Sequence, residues 1–137
     1  MDKSKVDALI PKAQEEIRAQ GIYKDGFIDN TFRGQISSFG AAVTMGSLLS
    51  AVAYFSKKGS GEEDGRPLLM KAIYALIKGH NAPQGENSLY EYVKQEIRAG
   101  REDSVKEDVI NAALAVKLAI NLFNVKPRKP KEGAKNG

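Results

Sequence analysis

The spacing of apolar residues restricts the fold of this chain more than any other feature of its sequence. In six separate segments, apolar residues recur every three or four positions, which places them on one face of an α-helix. The first segment shows the pattern with Val6, Leu9, Ile10, Ala13 and Ile17. We find no segment with the sustained period-two alternation of a half-buried strand. The sequence therefore predicts an all-α protein, a compact bundle of about six helices.

Glycine and proline mark the ends of these segments. The first helix is predicted over residues 3–20, with a kink or a late start near Pro11 because proline cannot donate a helical hydrogen bond. Residues 23–30 are predicted to form a loop. The glycine-containing stretch 45–47 is predicted to turn the chain between the second and third helices.

Polar residues that cap helices stand at several predicted starts. Asn30 or Thr31 is expected to cap the second helix. Asn87 or Ser88 is expected to cap the fifth helix. Ser88 and Ser104 are each followed three residues later by a glutamate, which is the spacing of a capping box. These signals place the starts of the fifth and sixth helices.

The last predicted helix is apolar nearly all round. Its apolar residues are Val105, Val109, Ile110, Ala112, Ala113, Leu114, Val116, Leu118, Ile120, Leu122 and Phe123. Such a helix lies either at the centre of a bundle or in a protein interface. Pro127 and Pro130 follow it in a strongly basic stretch. We therefore predict one helical domain over residues 1–125 and a disordered basic tail over 126–137.

The net charge of +4 lies entirely in that tail. Five of the 21 Lys and Arg residues and one of the 17 acidic residues fall in 126–137, which leaves 16 of each sign in 1–125. Residues 31–60 and 65–85 nevertheless contain cations and no acid. If folding keeps these stretches together, one face of the body is positive; if folding mixes them, no such face exists.

The residues offer little support for catalysis. The chain has no cysteine, which excludes disulfides and thiolate chemistry. Its single histidine, His80, stands at a predicted helix end, where it is typical of a C-terminal cap, and no nucleophile elbow lies near it. We expect no enzyme activity, no metal site and no cofactor, with an enzyme built on His80 and carboxylates as an alternative. With neither a signal peptide nor a membrane span apparent, we expect a cytoplasmic protein.

Nucleic-acid binding has better support. Lys and Arg contact phosphates, and aromatic rings stack on bases. The candidate RNA-binding residues, which lie close to aromatic residues in the sequence, are Arg33, Lys57, Lys58, Lys94, Arg98 and Arg101.

The second and third predicted helices resemble a known signature. Residues 32–40 (Phe-Arg-Gly-Gln-Ile-Ser-Ser-Phe-Gly), 45–49 (Met-Gly-Ser-Leu-Leu) and 51–55 (Ala-Val-Ala-Tyr-Phe) combine an aromatic-Arg start, a glycine turn and a Leu…Ala-x-Phe helix. This pattern resembles the Cmr small-subunit family of the type III-B CRISPR RNA-guided effector complex. Residues 120–123 (Ile-Asn-Leu-Phe) look like the end of the family's last helix, so the resemblance covers about residues 3–124.

The resemblance implies a helical bundle without an active site. Several copies would stack along the filament of backbone subunits and line the groove where target RNA pairs with guide RNA. The implied partners are the backbone and large subunits, further copies of the chain, guide RNA and target RNA, with no membrane. Arg33 corresponds to the family's Arg at the start of the second helix. The chain departs from the family at Phe39-Gly40, where members often have Leu-Pro, and in its basic tail.

A helix-turn-helix DNA-binding regulator is the alternative function. Its recognition helix would present several exposed Arg, Asn or Gln side chains near its N-terminus. The second and third predicted helices offer mostly Ser, Ala and Leu, which favours the RNA-contacting subunit.

Overall fold

The predicted helical bundle is confirmed. The structure is a computed structural model that describes residues 1–57 and 65–127, and six helices lie within these residues. They are α1 (Lys3–Ala19), α2 (Thr31–Met45), α3 (Leu48–Ser56), α4 (Arg66–Lys78), α5 (Ser88–Arg98) and α6 (Glu102–Ile120). None of these helices is long and apolar enough to cross a membrane. Lys58 and residues 128–137 of the predicted tail lie outside the described residues.

Helix α6 is the central element of the bundle. It packs against α1, α2, α4 and α5. Its buried residues are Val105, Val109, Asn111, Ala112, Ala113, Ala115, Val116, Ala119 and Ile120. Alanines at several of these positions let neighbouring helices approach closely, while valine and isoleucine fill the space between them. Of the two positions that its all-round apolar sequence allows, α6 therefore occupies the centre.

A small sheet stands where the sequence predicted only a loop. Strands β1 (Tyr23–Lys24) and β2 (Phe27–Asp29) form an antiparallel hairpin, and β3 (Val125–Lys126) pairs with β2 in parallel. Asp25 and Gly26 turn the hairpin with φ of 57° and 88°, the backbone that a tight two-residue turn requires. The prediction of a loop without strands is wrong, because strands of two or three residues are too short to show alternation.

The parallel pairing holds the chain after α6 against the hairpin. The Ile28 N–H donates to the Asn124 carbonyl at 2.8 Å, and the Asn30 N–H donates to the Lys126 carbonyl at 2.7 Å. Ile28 is fully buried beneath this pairing. Lys126, which the sequence placed at the first position of the tail, is therefore part of a strand.

Helix α1 starts earlier than its proline suggested. The Asp2 carboxylate accepts hydrogen bonds from the backbone N–H groups of Ser4 and Lys5 at 3.1 and 3.3 Å. The helix begins at Lys3 and continues through Pro11, so the prediction of a late start is wrong. Pro11 is exposed, and water can hydrate the carbonyl that its missing N–H leaves unpaired.

The predicted capping hydrogen bonds do not form at three helix starts. Asn30 occupies the N-cap position of α2, as one of the two predictions had it, but its side chain makes no capping bond. The Asp29 carboxylate instead accepts hydrogen bonds from the Thr31 N–H and hydroxyl at 3.0 and 3.1 Å. At α5, Asn87 occupies the N-cap position, while Ser88 accepts the Gly85 N–H at 2.7 Å instead of forming a capping box. Helix α6 begins two residues before Ser104, which also rules out the second box.

Candidate nucleic-acid interface

Three mutually packed helices contain no acidic residue, and two of them, α2 and α4, carry cations. Helices α2, α3 and α4 contact one another, and none of their residues is Asp or Glu. Helices α1, α5 and α6 contain all the acidic residues that lie in helices. Helices from the two acid-free stretches therefore contact one another, and they also pack against α1, α5 and α6. We call α2, α3 and α4 the acid-free helices.

Arg33 is the most prominent cation of the acid-free helices. It is exposed in the first turn of α2, and its Nη2 donates to the Asn121 Oδ1 at 3.0 Å. Asn121 is neutral, so this bond orients the guanidinium without cancelling its charge. A cation in the first turn of a helix also opposes the helix dipole. Arg33 is therefore held by a neutral partner at a position where its charge does not favour helix stability.

Lys57 follows the last residue of α3 and is exposed. Near it in the sequence, Tyr54 leaves 64% of its surface exposed, while Phe55 is buried. The two rings meet edge to face with centroids 5.5 Å apart. The structure thus places an exposed ring and an exposed cation at the end of α3, as the sequence suggested.

Three candidate residues lie elsewhere, on and after α5. Lys94 Nζ is 2.9 Å from Glu91 Oε1. Arg98 is exposed. Arg101 donates two hydrogen bonds to Glu96, from Nε at 3.0 Å and from Nη2 at 2.6 Å. RNA would have to compete with carboxylates for Lys94 and Arg101.

The contact between Glu96 and Arg101 shifts the pKa values of both side chains. The hydrogen bonds from Arg101 lower the pKa of the Glu96 carboxyl, and the same bonds raise the pKa of the Arg101 guanidinium. Burial, followed by the nearby charges of Glu96 and Asp108, raises the pKa of the Tyr92 hydroxyl. The surroundings of α5 are therefore less favourable to phosphate than those of the acid-free helices.

Two lysines of α4 were not among the candidate residues. Lys71 and Lys78 lie seven positions apart on α4, and Lys78 Nζ is 5.0 Å from the centroid of the Tyr92 ring. The absence of acids from residues 65–85 was the signal that could have identified them. Lys71 extends the set of cations on the acid-free helices, whereas Lys78 lies against α5, where its charge helps to lower the pKa of the Glu96 carboxyl.

The turn between α2 and α3 exposes apolar surface. Met45 is 86% exposed, and it lines a shallow groove of about 420 Å³ with Ala42, Ala51 and Tyr54. Large exposed apolar side chains that share one surface are typical of protein–protein contacts. We call this surface the Met45–Tyr54 groove.

His80 is bound to a buried carboxylate. Its Nδ1 lies 2.6 Å from Glu16 Oε2, and Gln20 Nε2 donates to Glu16 Oε1 at 3.2 Å. The His80 side chain is 64% exposed and that of Glu16 only 5%. In the part of the chain that the structure describes, no three His, Asp or Glu side chains are grouped to hold a metal ion.

Comparisons with known proteins add no relative. No family model, no curated protein and no solved structure matches the chain.

Proposed function

We propose that this chain is a non-catalytic small subunit of a type III-B CRISPR (Cmr) effector complex. In that role it stacks along the backbone filament and contacts target RNA and the guide duplex in antiviral defence in the cytoplasm. Two features support this: the resemblance of residues 32–55 to the family signature, and a helical bundle of the kind that the resemblance implies.

The acid-free helices carry the proposal. A polyanion binds where cations are not already neutralised by carboxylates. Arg33 bonds to a neutral amide, and Lys57 is exposed beyond an acid-free helix. Among residues 1–57 and 65–127, neither cation has an acidic partner that phosphates would have to displace. We assign RNA contact to this part of the molecule ahead of α5.

The Met45–Tyr54 groove supplies the second requirement of a filament subunit, a surface for protein neighbours. It is apolar, and it adjoins the acid-free helices because Met45 ends α2 and Tyr54 belongs to α3. A neighbouring subunit seated there would hold the cations of the same helices against RNA.

The helix-turn-helix alternative has weaker support. In α3, which would be the recognition helix, the exposed residues are Ser50, Ala53 and Tyr54. Base edges in the major groove are contacted by Arg, Lys, Asn and Gln, and α3 contains none of these. We therefore favour the RNA-contacting subunit.

Charge reversal tests the proposal. We expect the variant Arg33→Glu, Lys57→Glu, Lys58→Glu to bind fluorescently labelled RNA more weakly, measured by anisotropy over a salt series. Each phosphate contact to a single strand contributes about 0.7 to the slope of log affinity against log salt, so three lost contacts lower it by about 2.

The matched control reverses three exposed lysines of α1, in the variant Lys3→Glu, Lys5→Glu, Lys12→Glu. This control changes net charge equally, on a helix that also carries acids, and we expect a much smaller loss of affinity. Equal losses in both variants would mean that only net charge matters, and an unchanged affinity in the first would show that RNA binds elsewhere.

A further inference from the structure

A groove runs between α2 and α6, and we call it the α2–α6 groove. It has a volume of about 310 Å³ and a floor of buried apolar side chains. These are Ile36, Phe39, Val43 and Ala113, with the half-buried Ile110 and Leu114 beside them. Sites for small molecules are lined mainly by apolar side chains with a few polar groups, and they begin at about this volume. The groove therefore has the size and the lining of a ligand site.

Small residues of α2 keep the α2–α6 groove open. Gly40 and Ala41 line it, and a Cβ at Gly40 would meet no atom within 4 Å. The gap deprives the two helices of apolar contacts that closer packing would give them. Its floor therefore gains free energy when an apolar group of another molecule covers it.

The two ends of the groove differ because α2 and α6 lie antiparallel. Arg33 Nη2 donates to Asn121 Oδ1 at 3.0 Å, so the start of α2 lies beside the end of α6. One turn further into each helix are Ser37 and Lys117, which are both exposed and both line the groove. These two side chains mark one end. Thr44, about 10 Å further along α2, marks the other.

A single cation stands at the first of these ends. Residues 34–45 of α2 carry no charge, and Lys117 is the only charged residue of α6 after Asp108. Lys117 forms no ion pair within residues 1–57 and 65–127. Near the other end, Glu107 is paired with the Met1 ammonium at 2.9 Å. One end of the groove therefore complements a single negative charge, and the remainder complements an apolar chain.

We propose that the α2–α6 groove binds a medium-chain carboxylate, a small amphiphile with one negative charge. The carboxylate lies beside the Lys117 ammonium and the Ser37 hydroxyl, and the alkyl chain follows the apolar floor towards Thr44. A longer chain would leave methylene groups in water beyond the end of the groove. The inference goes beyond the proposed function, since RNA contact at Arg33 and Lys57 does not require an occupied groove.

The length of the alkyl chain gives the first test. We expect the affinity of linear carboxylates to rise about fourfold for each added CH₂ from butanoate to octanoate, as apolar burial requires. The rise should end before dodecanoate, whose chain is longer than the groove. Isothermal titration calorimetry below the micelle-forming concentration measures these affinities. Absence of binding, or an affinity independent of chain length, would overturn the inference.

The charge of the head group gives the second test. We expect octanoate to bind more tightly than octanol, and octanol more tightly than octylammonium, by about two- to fivefold at each step, the range for an exposed ion pair. Lys117→Glu should reverse this order. Lys12→Glu, an equal change of charge at an exposed residue of α1, is the matched control and should keep the order. An order unchanged by Lys117→Glu would contradict the assigned carboxylate position.

Filling the groove gives the third test. Gly40→Leu places a side chain in the open space without overlap, and leucine favours helix more than glycine does. We expect the affinity for octanoate to fall about fiftyfold, equivalent to displacing about three CH₂ groups from the floor. An affinity equal to that of the unmodified protein would show that the chain does not bind in this groove.

Gly34→Leu is the matched control for Gly40→Leu. It lies on the same helix, a Cβ there also meets no atom within 4 Å, and Gly34 does not line the groove. We expect it to bind octanoate as the unmodified protein does. Equal losses in the two variants would contradict the inference. If Gly40→Leu fails to fold in a circular-dichroism melt, the reversal expected for Lys117→Glu remains a test at an exposed residue.

A side chain of a protein neighbour is the alternative occupant. In that case no carboxylate binds, and Gly40→Leu is lost from a complex with type III-B backbone subunits while Gly34→Leu is retained. That result would overturn the inference. The proposed function is tested separately, by RNA binding after reversal at Arg33, Lys57 and Lys58, so failure of the groove to bind a carboxylate leaves it standing.

Discussion

The bond between His80 and Glu16 gives a prediction at the scale of single residues. Glu16 is buried, and His80 supplies a hydrogen bond to its Oε2 at 2.6 Å. His80→Ala removes this partner from a carboxylate whose side chain is only 5% exposed. We expect the free energy of unfolding to fall by about 1–3 kcal/mol, the cost of an unsatisfied buried polar group, measured by urea denaturation.

The double variant Glu16→Gln with His80→Ala is the control. It replaces the buried carboxylate with a neutral amide, so we expect a smaller loss of stability than in His80→Ala alone. If the single variant unfolds at the same urea concentration as the unmodified protein, the bond contributes nothing to stability. The alternative of an enzyme built on His80 and carboxylates would then need an activity test.

The contact between His80 and Glu16 could not be predicted from the sequence. His80 follows α4 closely, and the sequence suggested a helix cap from that position. The carboxylate it contacts is 64 residues away, on α1. Nothing local to either residue predicts the contact, because it depends on how α1 and α4 pack.

At the scale of elements, the lack of a side chain at Gly65 allows the start of α4 to pack closely against Phe32 of α2. A Cβ at this position would overlap the ring of Phe32. We expect Gly65→Ala to destabilise the fold by about 1–3 kcal/mol, the usual cost of overpacking, seen as a lower midpoint of urea unfolding.

Gly34→Ala is the matched control on α2. A Cβ there meets no atom within 4 Å. Because alanine favours helix more than glycine does, we expect a gain of up to about 1 kcal/mol. Equal losses in both variants would mean that overlap with Phe32 is not the cause.

The helices were predictable because each carries its own signal. Apolar spacing lies within one element, so α4, with Leu69, Ala72 and Ile73 buried, could be recognised without its neighbours. The strands have no such signal. Ile28 pairs with Val125, which lies beyond five further helices in the sequence, and this pairing exists only once α6 has brought the two segments together.

The candidate site likewise has features that the sequence could predict and features that it could not. The acid-free helices were visible in the sequence, because an absence of Asp and Glu is a local property and the helices that share it pack together. The pairing of Arg101 with Glu96 and the contact of Arg33 with Asn121 were not visible. Both depend on geometry at a turn or between distant helices.

At the scale of the whole molecule, charge and apolar surface lie on the same helices. Arg33 begins α2 and Met45 ends it, so one helix joins the proposed RNA contact to the Met45–Tyr54 groove. A subunit that stacks in a filament needs both, since each copy must touch its neighbours and the RNA at once. Binding through several stacked copies would also strengthen contacts that are weak in one copy.

The groove yields the prediction for assembly. Met45→Glu places a charge where we expect a neighbouring subunit, and an unpaired charge buried in an interface costs about 3–5 kcal/mol. We expect this variant to be lost from the complex when it is coexpressed with type III-B backbone and large subunits, measured by its recovery after affinity purification of a backbone subunit. Met45 is 86% exposed in the single chain, so the substitution leaves folding intact.

Leu122→Glu, at a residue 61% exposed beyond the end of α6, is the control and should be recovered normally. Full recovery of Met45→Glu would show that the groove is not the subunit contact, and loss of Leu122→Glu instead would move that contact to the end of α6.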